Sequence, residues 1–160
     1  MTGMTNPSGA LWSWYLHGVV GAKGVRAVLA GILDRPVLPL EAAVPEQLPA
    51  DALLCDVWRV GGDFPTRVDC YLAPTEPAEA AVAAAFAQQI GCDCLLPDDT
   101  LDPGRFLLAA PDATLRPVHV DIEEGEDGPI LLRLRLCTMS DQRSARICRQ
   151  SRWAPDSVVS

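Results

Sequence analysis

Apolar and polar residues alternate in several short segments of the chain, and a period of two residues is the pattern of a half-buried β-strand. The first such segment spans 11–17, where Trp12, Trp14 and Leu16 fall on one side and the residues between them on the other. A cluster of glycines follows, and apolar residues then recur at helical spacing over 25–32. The pattern predicts a strand and then a short amphipathic helix.

Residues 53–72 predict a hairpin, because two runs rich in β-forming side chains flank a glycine-containing loop. If Cys55 faces Cys70, one face of this hairpin is continuously apolar, and a shift of one residue breaks that face. The same register sets Asp56 against Asp69, which is a mild cost because like charges opposite each other repel.

The alanine-rich run at 78–90 has large apolar residues at every fourth position, and Gly91 closes it. This pattern predicts a second helix with a glycine C-cap. Residues 92–96 and 105–110 then predict two short apolar strands, joined by a polar loop at 97–104.

Residues 115–122 and 130–136 predict a second hairpin, joined by an acidic loop at 123–129. Matching Ile122 with Ile130 gives this hairpin one apolar face. The opposite face then carries four polar side chains, those of His119, Asp121, Arg133 and Arg135.

The order of these elements predicts an α+β fold, with a largely antiparallel sheet of about six to seven strands and two helices packed on one face. The proline-rich segment 34–51 is interpreted as a surface connection. Residues 1–136 are expected to form a single domain. Residues 137–160 are expected to form an arginine-rich tail or a marginal helix.

Charge is divided unevenly along a chain that is 49% hydrophobic and 21% charged, with a formal net charge of −8. Residues 41–127 contain 18 acidic residues against four arginines, a net charge of −14, whereas 128–160 contain six arginines against two acidic residues. A nucleic-acid or anionic-membrane binder should carry a basic face. The acidic body therefore favours a basic protein partner and argues against nucleic acid and membrane.

No apolar run is long enough to span a membrane, and the first thirty residues lack a secretion signal, so the cytoplasm is the expected compartment. The six cysteines are then expected to be free thiols or small core side chains. Cys92 and Cys94 lie on one side of a predicted strand and are the nearest approach to a soft-metal site, but no histidine or cysteine pair completes a ligand set. We expect no metal and no cofactor.

One face of the second predicted hairpin offers the best arrangement for an enzyme. His119 and Asp121 are two residues apart, so the carboxylate is placed to orient the imidazole, and Arg133 or Arg135 is placed to neutralise an anionic substrate. No nucleophile accompanies them. A solvated strand face with mixed charges explains the same residues, and we favour that interpretation.

Acidic residues collect in the predicted loops, where they would form a single surface if the loops converge. With two aromatic residues as anchors, the candidate partner-binding residues are Asp98, Asp99, Asp102, Glu123, Glu124, Glu126, Asp127, Phe64 and Trp58. Solubility alone also explains acidic loops.

A resemblance to a known class of proteins covers residues 53–122. Its motifs are Gly62-Asp63-Phe64-Pro65-Thr66 with Tyr71, the alanine-rich helix, Leu95-Leu96-Pro97-Asp98-Asp99, Asp102-Pro103 with Arg105-Phe106-Leu107-Leu108, and Pro117-Val118 before Val120-Asp121. These stretches resemble small acidic proteins found beside bacterial polymorphic toxins and taken to be their immunity partners. The resemblance implies a non-catalytic inhibitor that occludes a cognate toxin.

The sequence thus predicts a cytoplasmic binding protein of the immunity type, which neutralises a basic toxin or enzyme domain through acidic loops. The first alternative is a small enzyme centred on His119 and Asp121. The second is a structural or oligomerisation module that uses the strand of Trp12 and Trp14 or the arginine-rich tail.

Overall fold

The computed structural model describes residues 10–42, 44, 46–98, 104–126 and 128–136, so the predicted tail at 137–160 lies outside the described residues. Within these ranges the chain forms two α-helices, a short 3-10 turn at Leu40–Ala42 and eight strands. The elements in chain order are β1 Ala10–Leu16, α1 Ala22–Leu33, β2 Val37–Leu38, β3 Leu53–Arg59, β4 Thr66–Ala73, α2 Glu79–Ile90, β5 Cys94–Pro97, β6 Arg105–Ala109, β7 Leu115–Gly125 and β8 Gly128–Leu136.

All the strands belong to one sheet with the order β2-β3-β4-β1-β5-β6-β7-β8. Every neighbouring pair is antiparallel except β2 and β3, which are parallel. The α+β class is therefore confirmed, with eight strands rather than six to seven. The additional strand is β2, in the segment 34–51 that was interpreted as connection only, where Val37 lies opposite Leu53.

The first hairpin has the predicted register, with Cys55 opposite Cys70 and Asp56 opposite Asp69. Its apolar face is buried, since both cysteines are fully shielded from solvent. The prediction fails at the end of β4, where Leu72 has a positive φ of 63° and is 46% exposed. A left-handed backbone turns this side chain away from the face that the alternation assigned to it.

The predicted residue pairs of the second hairpin are wrong. The strands continue to Gly125 and Gly128, so most of the predicted loop at 123–129 is strand, and Ile122 lies opposite Leu131 rather than Ile130. A β-bulge then adds one more residue to β8, where Arg133 has a positive φ of 55°. The two offsets together shift the pairing by two residues, so Arg135 lies opposite His119 where the predicted register placed Arg133.

The larger hydrophobic core lies on the side of the sheet that we call the tryptophan face, which is the side carrying Trp12, Trp14 and Leu16. Trp14 is fully buried, its ring centroid lies 5.5 Å from that of Phe86 in α2, and its Nε1 donates a hydrogen bond of 2.9 Å to Glu79. Both tryptophans of β1 are therefore core residues and are not exposed for oligomerisation.

A second core fills the opposite side, which we call the tyrosine face because β1 presents Ser13 and Tyr15 there. It contains Phe64 from the loop between β3 and β4 and Leu131 from β8, which are distant in the strand order. The amide of Asp63 donates a hydrogen bond of 2.9 Å to the carbonyl of Leu131, and its carboxylate accepts one of 3.1 Å from the amide of Arg133. The sheet is thus curled so that the loop between β3 and β4 meets β8, where Gly62 bridges to Leu131.

Gly62 permits this closure. It has a φ of +86°, and a Cβ at this position would collide with Ile130 and lie 2.8 Å from the carbonyl oxygen of Leu131. A glycine tolerates both the left-handed backbone and the close approach of β8, and another residue tolerates neither.

We expect Gly62→Ala to lower the free energy of unfolding by about 2–4 kcal/mol, because it adds backbone strain and a steric clash. The matched control is Gly31→Ala in α1, where the added methyl group meets no atom within 4 Å. That variant should gain about 0.5–1 kcal/mol from helix propensity. Urea unfolding followed by far-UV circular dichroism measures both, and equal stabilities of the two variants would contradict the proposed role of Gly62.

Candidate functional site

The carboxylate of Asp69 is the centre of a polar network on the tyrosine face. Its side chain is only 9% exposed, and it accepts hydrogen bonds from three strands. Ser13 Oγ in β1 donates at 2.7 Å and Arg67 Nε at 3.1 Å to Oδ1, while Trp58 Nε1 in β3 donates at 3.0 Å to Oδ2. The charge is therefore compensated by one cation and two further donors, as a nearly buried carboxylate requires.

A row of three side chains crosses the strands beside this network. Trp58 lies opposite Arg67, and Arg67 lies opposite Tyr15. The guanidinium carbon of Arg67 is 5.8 Å from the centroid of the Tyr15 ring, within range of a cation–π interaction. Burial raises the pKa of the Tyr15 phenol, with Arg67 lowering it and Asp69 raising it. Arg67 is thus fixed by a carboxylate and an aromatic ring.

These side chains border an open groove of about 530 Å³, whose lining residues are Trp58, Arg59, Arg67, Asp69 and Glu126. We call it the Trp58 groove. Trp58 is 49% exposed although its indole nitrogen is engaged, so one edge of the ring is held while much of its surface is accessible. A Cβ on Gly128 would lie 3.3 Å from Nη1 of Arg67, which places the turn between β7 and β8 against the guanidinium.

The sequence contains one indication of this network, because the predicted register places Asp56 opposite Asp69. Two facing carboxylates need compensation, and the structure provides it separately for each. Asp56 accepts a hydrogen bond of 3.1 Å from the amide of Leu40, while Asp69 is paired with Arg67 two residues earlier on the same face. The register alone indicates only the repulsion and predicts no role for Asp69 or Arg67.

Two of the predicted partner-binding residues do not lie on the surface. Asp98 was assigned to an exposed acidic loop, but its side chain is fully buried and forms an ion pair with Arg105, whose Nε is 2.9 Å away. Phe64 was assigned as an exposed anchor, but it is only 2% exposed and packs in the second core, with its ring centroid 5.2 Å from that of His17. Asp99, Asp102 and Asp127 lie outside the described residues.

The other predicted residues are exposed near the turn between β7 and β8. Glu123, Glu124 and Glu126 all lie on the surface, although Glu123 and Glu124 belong to β7 rather than to a loop. Glu123 forms an ion pair with Arg133, with its Oε2 3.2 Å from Nη2. Glu126 and Trp58 border the same groove, so the structure brings one acidic residue and one aromatic residue of the predicted set together.

The side chains predicted as an enzyme site are engaged in a different way. Asp121 accepts hydrogen bonds of 2.6 Å from Arg133 and 3.1 Å from Arg135, so both of its oxygens point to arginines. These two bonds, that of Arg133 first, hold the pKa of Asp121 below its usual value. His119 is only 7% exposed and lies opposite Arg105 in the sheet.

Four cysteines fall within the described ranges, and all four are free thiols. Burial raises the pKa of the Cys94 thiol well above normal, and a hydrogen bond with Cys55 is the first cause of the raised pKa of Cys70. Such thiols are poor nucleophiles and poor metal ligands. No group of three or more metal-binding side chains occurs in the part of the chain that the structure describes.

Comparison with protein families, with curated proteins and with solved structures finds no match. None of the helices in the described ranges is both long and apolar enough to cross a membrane.

We expect Asp69→Asn to lower the free energy of unfolding by about 3 kcal/mol, because it leaves Arg67 without its counter-charge in a poorly solvated position. The indole N–H resonance of Trp58 should also shift in NMR spectra. The control is Asp51→Asn, an exposed carboxylate that should change the stability by less than about 0.5 kcal/mol. Equal stability of the two variants would show that the network does not hold the strands together.

The lowered pKa of Asp121 predicts how its ion pairs depend on pH. Because the folded-state pKa lies below the unfolded-state value, the ion pairs contribute to stability above the unfolded-state pKa and are lost as pH falls through the folded-state pKa. Arg133→Gln should raise the pKa of Asp121 towards its ordinary value, and Arg116→Gln should leave it unchanged. A carbon-detected NMR titration of the carboxyl group measures both, and an unchanged pKa in Arg133→Gln would contradict the assignment.

Proposed function

We propose that the protein is a non-catalytic binding protein of the immunity type, which neutralises a basic toxin or enzyme domain by forming a stoichiometric complex in the cytoplasm. The observation that carries the proposal is the pairing of exposed glutamates with a half-exposed, fixed tryptophan near the turn between β7 and β8. No chemistry on the partner is required, because occlusion of its active surface is sufficient for inhibition.

The arrangement of the layers supports a free binding face. We infer that both helices cover the tryptophan face, since residues of α1 and α2 share one core with Trp12 and Trp14. No helix then covers the tyrosine face, much of which is occupied by the second core. Trp58, at the edge of that face, stays 49% exposed together with the groove that it borders.

Charge on this surface fits a basic partner. Glu124 and Glu126 are exposed and form no ion pair or hydrogen bond with any described residue, whereas Glu123 is already paired with Arg133. Uncompensated carboxylates at a rim accelerate the capture of a basic protein and make its rate dependent on salt. Because no described cation of this chain pairs with these carboxylates, they are available to lysines and arginines of a partner.

Trp58 has the properties of an interface anchor. It is a large aromatic side chain, it is 49% exposed, and its hydrogen bond to Asp69 fixes its orientation before any partner arrives. A fixed anchor loses little conformational entropy on binding, and tryptophan is enriched among the residues that contribute most of the binding energy at interfaces.

The test begins with capture of partners by the tagged full chain in its native host at low and moderate salt, with identification by mass spectrometry. We expect a basic protein that forms a 1:1 complex and is lost at higher salt. Binding of the purified partner is then measured by surface plasmon resonance. The double variant Glu124→Lys with Glu126→Lys should weaken affinity about tenfold, mainly through a slower association rate.

The matched control is Glu41→Lys with Glu46→Lys, which makes the same change of charge at exposed positions far from this turn in the chain. We expect it to weaken binding by less than about threefold, because only long-range attraction is lost. Equal losses in the two double variants would overturn the proposed surface. Reproducible absence of any basic partner would overturn the proposed function.

A further inference from the structure

We propose that the Trp58 groove is a binding site for a guanidinium group, in which an arginine side chain of the basic partner stacks on the ring of Trp58 and donates hydrogen bonds to Glu126. The inference rests on the proposed function and deepens it, because it names the side chain that the partner contributes and the place that holds it. Three features of the groove support it: its charge, its accessible aromatic ring and its volume.

The arginines that border the groove do not make it an anion site. The charge of Arg67 is neutralised by Asp69, whose Oδ1 lies 3.1 Å from its Nε. Arg59 lies opposite the buried Thr66, whereas Trp58 lies opposite Arg67, so the side chain of Arg59 leaves the sheet on the tryptophan face. Among the lining residues on the tyrosine face, no positive charge is then left uncompensated.

Glu126 adds an uncompensated negative charge to the groove. It is exposed in the turn between β7 and β8 and forms no hydrogen bond or ion pair with any described residue. This turn lies against Arg67, since a Cβ on Gly128 would lie 3.3 Å from Nη1 of that residue. Because Arg67 lies opposite Trp58, the free carboxylate and the tryptophan ring border the same opening. A cation bound there gains a counter-charge that the described part of the chain does not use.

The ring of Trp58 is suited to a cation. Its Nε1 donates a hydrogen bond of 3.0 Å to the carboxylate of Asp69, which fixes the ring and polarises it towards a more negative face. The side chain is 49% exposed, and no aromatic ring or guanidinium of the described residues stacks on it. Arg67 lies beside the ring of Tyr15 instead, with its guanidinium carbon 5.8 Å from the centroid. The face of Trp58 is therefore available to a cation from another molecule.

A guanidinium uses the ring and the carboxylate together. It is planar, so it lies flat on an indole ring, and its N–H donors point outwards in its own plane, where they reach a carboxylate at the edge of the groove. An ammonium group is a compact and strongly hydrated charge without a flat face. The groove of about 530 Å³ falls within the range of roughly 300–1,000 Å³ that is usual for small-molecule sites, so an arginine side chain fits.

The experiment is an NMR titration of the ¹⁵N-labelled full chain with N-acetyl-arginine methylamide at constant ionic strength. The indole signal of Trp58 is identified among the four tryptophans by Trp58→Phe. We expect a saturable shift of this signal, with a Kd at least about tenfold lower than that of the citrulline analogue, which has the same shape without the charge. The Kd should be about threefold lower than that of the lysine analogue, because only the guanidinium makes both contacts.

Variants assign the two contacts. Glu126→Gln changes an exposed side chain, so it should fold normally and weaken binding of the arginine analogue about fivefold. The matched control Glu124→Gln changes an exposed glutamate that does not line the groove, and it should bind as the parent chain does. Trp58→Phe and Trp58→Leu both lose the bond to Asp69, so the difference between them isolates the ring. Followed through the amide signal of Gly128, Trp58→Phe should bind at least about threefold more tightly.

Three results would overturn the proposal. They are no saturable shift with the arginine analogue, equal affinities for the arginine and lysine analogues, and equal losses in Glu126→Gln and Glu124→Gln. Each of them leaves the capture of a basic protein standing. Binding of the arginine analogue without capture of any basic protein would instead overturn the proposed function and leave the guanidinium site in place, so the two failures are distinguishable.

Discussion

A single carboxylate, that of Asp69, joins three strands and fixes the side chains that border the Trp58 groove. Because it is almost out of water, its charge must be compensated by nearby donors, and those donors come from β1, β3 and β4. The same bonds fix the ring of Trp58 and the guanidinium of Arg67. The network therefore determines both the packing of three strands and the shape of the groove beside them.

Periodicity predicted most of the fold. Local spacing predicts the helices at 25–32 and 78–90 and the register that pairs Cys55 with Cys70. It does so because each of these elements buries one regular apolar face. The residue pairs of the second hairpin were predicted wrongly for two reasons. Both strands extend into the predicted loop, and the bulge at Arg133 then adds a residue to β8. Neither feature changes the apolar pattern of the sequence. The strand at Val37–Leu38 escaped prediction because two paired residues are too short to establish a period.

The candidate site was far less predictable, since it depends on which side chains meet through tertiary contacts. Acidic residues in loops were all assumed to face water, yet Asp98 is buried against Arg105 and Phe64 fills a core. The burial of Asp98 cannot be derived from polarity, because burial of a charge depends on a partner elsewhere in the chain. Trp58 and Glu126 were among the predicted residues, but their common groove follows from the curl of the sheet.

That curl has a consequence for how the chain folds. The contacts of Asp63 with β8 join residues 70 positions apart, and they complete the second core. Closing so large a loop has a high entropic cost, and folds dominated by such long-range pairing reach their native state slowly. During synthesis the first hairpin must wait for β8 to leave the ribosome, with Phe64 uncovered in the interval. The synthesis of β8 thus governs when the nascent chain can bury Phe64 and complete its second core.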